Sequence, residues 1–235
     1  MIYKKVVEGI FINRPNRFIA NVIIGEKEEI VHVRNTGRCK EILVPGAKVI
    51  LEDCSYNKNR KTKYSIIAVW KEDMLINMDS QIPNRVVYDA LRENSISCLK
   101  NLSLIRREKT FRNSRFDMYF ESNLERGFIE VKGVTLENDM VAMFPDAPTT
   151  RGTKHTLEII DAVKDGYIGI IFFLIQMKGP DIFRLNWEMD REFSEAVALA
   201  YEKGVKILAY DSIVTEDSIS IGNPIPIDML PPLSD

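Results

Sequence analysis

Two acidic residues and one lysine stand out in the sequence for the chemistry that they could perform together. Asp117 lies in one apolar run, and Glu130 and Lys132 lie in the next, with turn-forming residues between the two runs. If both runs are β-strands, Glu130 and Lys132 point to the same face, because side chains at i and i+2 share one side of a strand. We therefore predict that two carboxylates and an ammonium group meet at one place.

Such a group of side chains suits a divalent metal ion that activates water. Mg²⁺ prefers oxygen ligands and retains several waters, so the carboxylates of Asp117 and Glu130 with one backbone carbonyl would suffice to hold it. The ion would lower the pKa of a bound water and neutralise charge on a phosphate. Lys132 would hold or deprotonate that water. We predict Asp117, Glu130 and Lys132 as catalytic residues, the two carboxylates as metal ligands, and Mg²⁺ or Mn²⁺ as the cofactor.

An ordinary structural role is the alternative for the same residues. Asp117 and Glu130 could be solvated positions on half-exposed strands, with Glu130 paired to Lys132 or, across the sheet, to Arg115. The bare pattern of an acid followed by acid-x-lysine also occurs by chance. The order of the surrounding elements therefore decides how much weight the pattern carries.

The first third of the chain predicts a small β-barrel. Short runs rich in β-branched residues alternate with turn residues; the runs are VVEGIFI, FIANVII, IVHVRN, AKVILED and YSIIAVW. This spacing favours a five-stranded barrel of the OB type, with a different small barrel or a sandwich as the alternative. We place the OB-like domain at residues 1–80 and interpret residues 74–83 as a linker, because polar and proline residues break every periodic pattern there.

Residues 81–235 predict a second domain of the α/β class. Residues 84–94 have apolar residues at helical spacing, and Asn84 can cap this helix. Asp89 or Glu93 on the same helix could add a third carboxylate to the site. Three strand candidates follow, at residues 103–111, 115–121 and 127–134.

The remaining segments alternate between helices and buried strands. Helical spacing predicts a second helix at residues 154–165 and a third at about 191–203, with Asp190 as its cap. The apolar run IGIIFFLIQM reads as a strand that is buried on both faces, and VKILAY as another. A strand, a helix and a strand in succession imply a parallel pair, so the central sheet is mixed and the whole protein is of the α+β class.

This order of elements resembles the restriction-endonuclease-like fold. The resemblance implies a PD-(D/E)xK nuclease-like domain, in which an Asp on the second core strand and an acid-x-Lys on the third bind a divalent ion. The matching residues of this chain are Asp117, Glu130 and Lys132.

Several longer motifs of the sequence resemble those of the sugar fermentation stimulation protein A family of bacteria and archaea. They are Asn35-Thr36-Gly37, Ile-Pro-Asn at 82–84, Ile105-Arg106-Arg107-Glu108, SRFD, EVKGVTL and FPDAPTTRGTKH. The likeness extends from about Gly9 to Tyr210, and FPDAPTTRGTKH is its most specific word. It implies an OB-fold followed by a nuclease-like domain, DNA binding without marked sequence preference, and a link to sugar (maltose) metabolism. Arg38 departs from the family pattern, where Ser is common after the Asn-Thr-Gly word.

The word FPDAPTTRGTKH places polar residues near the predicted start of the second helix. Arg151 and His155 flank that start, where a helix N-terminus, a guanidinium and an imidazole would together receive a phosphate. Asp146 would orient either side chain, and Gln176 would touch the metal-bound water. Alternatively, Asp146 pairs with Arg151 to shape a structural loop, and Gln176 is a satisfied polar strand end.

Basic residues are concentrated at the N-terminus, although the net charge is only -2. Residues 1–84 contain 14 Lys and Arg against 10 Asp and Glu, whereas residues 85–235 contain 18 against 24. The family resemblance implies DNA as the partner, and because DNA affinity depends on neutralising phosphates, we predict the basic barrel as its binding surface. The predicted contacts are Arg34, Asn35, Thr36, Arg38, Lys58, Arg60, Lys61 and Lys63. Phe18, Tyr56 and Tyr64 could stack on bases, although aromatic residues of a small barrel more often fill its core.

Cysteine usage and the N-terminus indicate the compartment. Cys39, Cys54 and Cys98 show no CxxC spacing, so neither a disulfide framework nor a zinc site is indicated. Charged residues stand where a signal peptide needs its apolar core, and no stretch is apolar and long enough to cross a membrane. We expect a cytoplasmic protein without a membrane partner.

Three functions remain open from the sequence. The first is a sequence-nonspecific DNA-binding protein with a divalent-metal nuclease-like site that cleaves phosphodiester bonds with Mg²⁺. The second is a catalytically silent DNA-binding regulator linked to sugar metabolism. The third is a metabolic enzyme that binds a small phosphorylated ligand.

Overall fold

The computed structural model describes residues 1–35 and 37–231 of the chain. Thr36, one of the predicted DNA contacts, lies outside the described residues. In the described part, no helix is both long and apolar enough to span a membrane.

The N-terminal part is a closed, OB-like barrel. Its strands are β1 (Val6–Asn16), β2 (Ile19–Ile24), β3 (Lys27–Val33), β4 (Lys48–Asp53) and β5 (Tyr64–Lys71). The strand order is β3-β2-β1-β4-β5, and the parallel pairs His32–Ser65 and Val33–Ile66 close β3 onto β5. Closure leaves this sheet without a long free edge, as the OB topology requires.

The interpretation of residues 74–83 as a linker is wrong. Met74–Asn77 forms strand β6, which pairs with β5 and is largely buried, and the first helix begins at Ile82. The polar residues between them turn the chain through side-chain hydrogen bonds, because Asn77 Oδ1 accepts a bond from Asp79 N at 3.1 Å. The two parts of the protein therefore meet at a packed joint.

The second part is a six-stranded mixed sheet with helices packed against it. In chain order its elements are α1 (Ile82–Arg92), β7 (Leu104–Phe111), β8 (Ser114–Glu121), β9 (Arg126–Val134), β10 (Leu136–Asn138), β11 (Val141–Phe144), α2 (Thr150–Lys164), β12 (Ile168–Ile175), β13 (Ile182–Leu185), α3 (Arg191–Glu202), β14 (Lys206–Val214), β15 (Ile219–Pro224) and β16 (Ile227–Asp228). The main sheet has the order β15-β14-β12-β9-β8-β7. The parallel pair β12–β14 is the predicted strand–helix–strand unit. A small sheet, β10-β11-β13-β16, was not predicted.

Side-chain caps determine where α2 and α3 begin. Asp190 caps α3 by accepting a backbone hydrogen bond from its first turn, as predicted. Thr149 caps α2 in the same way, so α2 begins earlier than residue 154. Arg151 and His155 therefore both lie inside α2 instead of flanking its start.

Helix α1 also begins earlier than predicted. Its cap position is Gln81, and Pro83 lies in the first turn, where the missing N–H costs no hydrogen bond. Asn84, the predicted cap, is inside the helix, and its amide is free to reach another element.

Buried apolar clusters cover the main sheet. Ile159 of α2 and Phe193 of α3 belong to one cluster, and Val86 and Val87 of α1 belong to the other. Strand β12 is buried over nearly its whole length, as its continuous apolar run predicts. Strands β8 and β9 are therefore held between α1 and α2.

Candidate functional site

Asp117 and Glu130 lie where the pairing of β8 with β9 ends. The last paired residues of these antiparallel strands are Met118 and Ile129, so the next step brings Asp117 beside Glu130. Asp117 Oδ2 accepts a hydrogen bond from Val131 N at 2.8 Å. Burial raises the pKa of Asp117, and repulsion from Glu130 raises it further. The two carboxylates are thus neighbours, as the strand pattern predicts.

Glu130 is buried, and its two oxygens have different environments. Oε1 contacts Lys132 Nζ at 2.8 Å and His155 Nδ1 at 2.7 Å. Oε2 has no hydrogen-bond partner among residues 1–35 and 37–231. Burial alone would raise the pKa of Glu130, but the hydrogen bonds from His155 and Lys132 outweigh it and lower the pKa. Glu130 is only 4% exposed, which argues against a solvated position on a half-exposed strand.

A divalent cation fits the free oxygen of Glu130. A buried acceptor without a partner costs about 1–3 kcal/mol, and a cation between the two carboxylates would remove that cost. The oxygens of Asp117 each accept one hydrogen bond, and each retains a further lone pair for an ion. No cluster of three or more His, Cys, Asp or Glu in the described part has metal-site geometry, so a divalent ion here would need waters or carbonyls to complete its shell.

Glu158 shows that an unpartnered oxygen alone is insufficient to mark a metal site. Its buried Oε2 also lacks a partner within the described residues, but its side chain is 25% exposed, and its Oε1 lies 3.9 Å from Lys154 Nζ. Glu130 differs because its side chain is 5% exposed and a second carboxylate, Asp117, lies beside it.

Asn84 is a site residue whose role the sequence analysis missed. Its Nδ2 donates a hydrogen bond to Asp117 Oδ1 at 2.7 Å, so α1 orients the carboxylate. The acids proposed as a third carboxylate are elsewhere, since Asp89 pairs with Arg85 at 2.8 Å and Glu93 is exposed at the end of α1. The Ile-Pro-Asn motif pointed to this position, but because Asn84 was interpreted as a helix cap, its contact with Asp117 was not predicted.

Helix α2 presents His155, and not Arg151, to the carboxylates. His155 is buried, and because the ionised Glu130 can only accept, Nδ1 donates the hydrogen bond between them. The ring of Phe116 meets the imidazole edge-on at 6.3 Å and fixes its orientation. Arg151 is exposed on the outside of the helix.

Lys132 is held close to Glu130 on the same strand. Its side chain is 12% exposed, and one of its three N–H donors is used by Glu130 Oε1. Arg115, the other predicted partner of Glu130, instead lies 3.6 Å from Glu108.

A cleft of about 350 Å³ lies between the barrel and the main sheet. Its lining includes Asn35, Gly37, Ser80, Gly133, Asp146, Thr149 and Gln176, among other residues. A Cβ on Gly37 would lie 2.7 Å from Asp146 Oδ2, so glycine permits the approach of the barrel loop to this carboxylate. Burial raises the pKa of Asp146. Motifs that are far apart in the sequence thus line one cleft, and Asp146 faces the barrel loop.

Gln176 joins the two parts of the protein. Its Nε2 donates to Asn77 O at 3.0 Å, to Asn77 Oδ1 at 3.1 Å and to Asp79 O at 3.2 Å. These are the contacts of a satisfied polar strand end that anchors the β6–α1 connection.

The predicted DNA contacts occupy different environments. Arg34 is ion-paired with the buried carboxylates of Glu52 and Asp79, so its charge is neutralised inside the protein. Asn35 is buried and lines the cleft, whereas Arg38 is exposed. Arg34 therefore does not belong to the surface that meets solvent ions.

The connection between β4 and β5 supplies the other predicted cations. Lys58, Lys61 and Lys63 are exposed, and Arg60 donates a hydrogen bond to Ser65 Oγ at 2.5 Å. Of the aromatic candidates for stacking, Tyr64 is buried, while Phe18 is 49% exposed and Tyr56 is 69% exposed.

Known proteins match both parts of the chain. Residues 12–78 match the family model described as SfsA N-terminal OB domain, and residues 81–218 match the one described as Sugar fermentation stimulation protein RE domain. A sugar fermentation stimulation protein homolog from Alkaliphilus oremlandii is 61% identical over 232 residues, covering 97% of this chain and 99% of the relative. A Clostridium botulinum homolog is 57% identical over 229 residues with the same coverage of 97% and 99%.

A solved structure matches as well. The structure of Pyrococcus furiosus SfsA in complex with Ca²⁺ superposes with a TM-score of 0.87 at 25% identity, covering 97% of this chain and 98% of that one. The likeness therefore extends over the barrel, the joint and the mixed sheet together.

Proposed function

This chain belongs to the sugar fermentation stimulation protein family, and from the geometry of its site we propose that it binds DNA without sequence preference and cleaves phosphodiester bonds with a divalent metal ion. The observation that carries this proposal is the buried Oε2 of Glu130, which has no partner in the described part of the chain and lies beside Asp117. A cation is the partner that such an oxygen lacks.

Asp117 and Glu130 would hold the ion, and Mg²⁺ or Mn²⁺ is the proposed species. The Pyrococcus relative was solved with Ca²⁺, another hard ion that takes oxygen ligands, which supports a divalent-ion site. When bound, the ion would activate water and neutralise charge on a phosphate.

The chain's own residues orient this chemistry. His155 and Asn84 each hold one carboxylate in place, at 2.7 Å from Glu130 Oε1 and Asp117 Oδ1 respectively. Lys132 donates one hydrogen bond to Glu130, and its other two N–H groups could bind a water or a phosphate oxygen. Its positive charge would also stabilise negative charge that develops on the phosphate.

DNA is the proposed substrate because exposed cations lie on the barrel and a cleft connects the barrel with the main sheet. Arg38, Lys58, Lys61 and Lys63 are the exposed members of the predicted contact set. Contacts to phosphates carry no sequence information, so binding of this kind is nonspecific. Free cysteines fit a reducing compartment, and we propose the cytoplasm as the location.

A catalytically silent DNA-binding regulator is the second candidate. It is favoured by the double engagement of Glu130 Oε1 by Lys132 and His155, which neutralises much of the buried charge without an ion. A site that no longer catalyses a reaction would still retain these two contacts of Glu130, because they stabilise the folded protein.

The deciding experiment incubates purified protein with supercoiled, linear and single-stranded DNA in Mg²⁺ or Mn²⁺. Wild type should cleave, and Asp117→Asn or Lys132→Met should lower the rate at least about a hundredfold. Calorimetric titration with Mn²⁺ should show binding to wild type that Asp117→Asn removes.

Exposed residues of the same types provide the controls. Asp181→Asn and Lys206→Met change exposed side chains and should leave cleavage and Mn²⁺ binding intact. Cleavage that survives Asp117→Asn would identify a contaminating nuclease. DNA binding without cleavage by wild type would favour the silent regulator.

A further inference from the structure

The barrel carries a basic pocket beside the connection from β3 to β4. Its volume is about 350 Å³, and its lining contains Arg14, Arg17, Arg38 and Lys40 but no acidic residue. None of these four side chains takes part in an ion pair with another described residue. Four like charges around one concave surface are costly unless an anion binds there.

Arg14 builds the floor of this basic pocket. Its guanidinium donates hydrogen bonds to four backbone carbonyls, those of Arg17 at 2.7 Å, Asn35 at 2.6 Å, Gly37 at 2.8 Å and Arg38 at 2.9 Å. The four carbonyls accept from its Nη1 and Nη2 groups, its buried Nε has no partner among the described residues, and none of these contacts compensates its charge. Arg14 therefore shapes the loop and keeps a positive potential inside the pocket.

The basic pocket adjoins the cleft between the barrel and the main sheet. Gly37 lines both, with the pocket on one side and Asp146 on the other. Gly133 and Thr149 line the same cleft, and they follow Lys132 on β9 and cap α2, the helix of His155. A strand leaving the pocket through this cleft would therefore pass the residue after Lys132 and the cap of the helix that carries His155.

An exposed aromatic ring lies beside the basic pocket. The guanidinium carbon of Arg17 is 4.9 Å from the centre of the Phe18 ring, and Phe18 is 49% exposed. A cation next to an exposed ring suits a nucleotide, because the cation meets the phosphate while the ring stacks on the base. Only an unpaired base offers its face for stacking.

We propose that the basic pocket binds a backbone phosphate of a DNA strand and that Phe18 stacks on an unpaired base next to it. This inference rests on the proposed function, because it takes the proposed substrate, DNA, as the ligand of the pocket. It assigns binding roles to Arg14, Arg17, Lys40 and Phe18 and predicts a preference for single-stranded DNA over duplex.

The test compares two triple variants that remove equal charge. They are Arg17→Ala with Arg38→Ala and Lys40→Ala, and Lys4→Ala with Lys203→Ala and Lys206→Ala. Binding of labelled oligonucleotides is measured in EDTA at several salt concentrations, so that cleavage plays no part. The pocket variant should lower the salt slope on single strands by at least about 0.7, the value for one phosphate contact, and the control should not.

Phe18→Ala tests the stacking separately. It should weaken binding of single-stranded DNA about fivefold or more and leave duplex binding nearly unchanged. Equal losses on both forms of DNA would overturn the stacking. Arg14 is left intact because its loss would disturb the loop, and thermal melts check that each variant folds.

The outcomes separate this inference from the proposed function. An unchanged salt slope in the pocket variant, with wild type cleaving DNA normally, would overturn the pocket and leave the nuclease function standing. A reduced slope in EDTA, with no metal-dependent cleavage by wild type, would support the pocket and contradict the nuclease.

Discussion

Two buried groups of carboxylates and cations lie in this molecule, and they differ in what each leaves unpaired. At the joint, Arg34 bridges Glu52 and Asp79, and neither carboxylate has a fully buried oxygen without a partner in the described residues. At the end of β8 and β9, Lys132 and His155 both contact one oxygen of Glu130, and the other oxygen has no partner among residues 1–35 and 37–231.

The difference separates a structural ion network from a candidate binding site. Buried charges that are fully paired cost little once formed, but removing one partner is strongly destabilising. A buried carboxylate oxygen that the protein does not satisfy is costly unless a ligand completes it. The Arg34 group should therefore respond to mutation through stability, and the Glu130 group through metal binding.

Arg34→Leu should have the largest effect on folding. It leaves two buried carboxylates unpaired, so the free energy of unfolding should fall by about 3–5 kcal/mol in urea titrations. Arg191→Ala breaks an exposed pair with Glu195 on α3 and should change it by at most about 0.5 kcal/mol. If Arg34→Leu weakened DNA binding but kept normal stability, Arg34 would be the DNA contact that the sequence analysis predicted.

Metal ions should stabilise wild type and not Glu130→Gln. At an ion concentration one hundred times the Kd, wild type should gain about 2.7 kcal/mol, because the ion binds only the folded state. Thermal melts with Mn²⁺ and with EDTA measure the gain. Equal gains in Glu130→Gln and wild type would place the ion elsewhere, whereas Glu158→Gln should retain the full gain.

Asn84→Ala should weaken the site without unfolding the protein. Asn84 orients Asp117 without touching the ion, and losing such a partner typically costs about 10- to 100-fold in metal affinity. Calorimetry with Mn²⁺ measures the loss, and Asn123→Ala in the exposed β8–β9 turn is the matched control. An unchanged Kd would show that the backbone of Val131 alone positions Asp117.

Asp146→Asn should have the smallest effect of these substitutions. Asp146 belongs neither to the Arg34 ion-pair group nor to the Asp117–Glu130 site. Burial raises its pKa in the folded state above the unfolded value of about 3.9. Stability should therefore fall as the pH rises through the folded pKa, and recover as the pH is lowered toward the unfolded pKa. Asp146→Asn should flatten this dependence in urea titrations between pH 7 and pH 4; an unchanged curve would show that Asp146 is solvated.

Local patterns predicted the elements well where one rule dominated. The β-branched runs of the barrel, the continuous apolar run of β12 and the Asp190 cap all follow from near neighbours. The linker interpretation of residues 74–83 was wrong because their polar side chains form hydrogen bonds with one another at a buried joint. In the sequence alone, such a polar segment has the composition of a linker. The prediction of Asn84 as a helix cap was wrong because the same side-chain amide can either cap a helix or form a tertiary hydrogen bond, and the sequence does not distinguish the two.

The partners of charged residues were the least predictable feature. Arg34 looked like part of a basic surface, but its partners are 18 and 45 residues away in the chain. Arg151 and His155 are one turn apart on the same face of α2, but Arg151 lies in the first turn and is exposed, whereas His155, further along the helix, packs on the sheet.

By itself the sequence determined that Asp117, Glu130 and Lys132 would be neighbours. The two-residue period of a strand puts Glu130 and Lys132 on one face, and the short turn between β8 and β9 sets the register that brings Asp117 beside Glu130. Tertiary structure alone decided that His155 and Asn84 hold the two carboxylates, that Arg34 is neutralised inside, and that Glu130 Oε2 has no partner in the part of the chain that the structure describes. Those outcomes depend on which distant elements pack together, because a buried charge takes its partner from whatever the fold brings within hydrogen-bond reach.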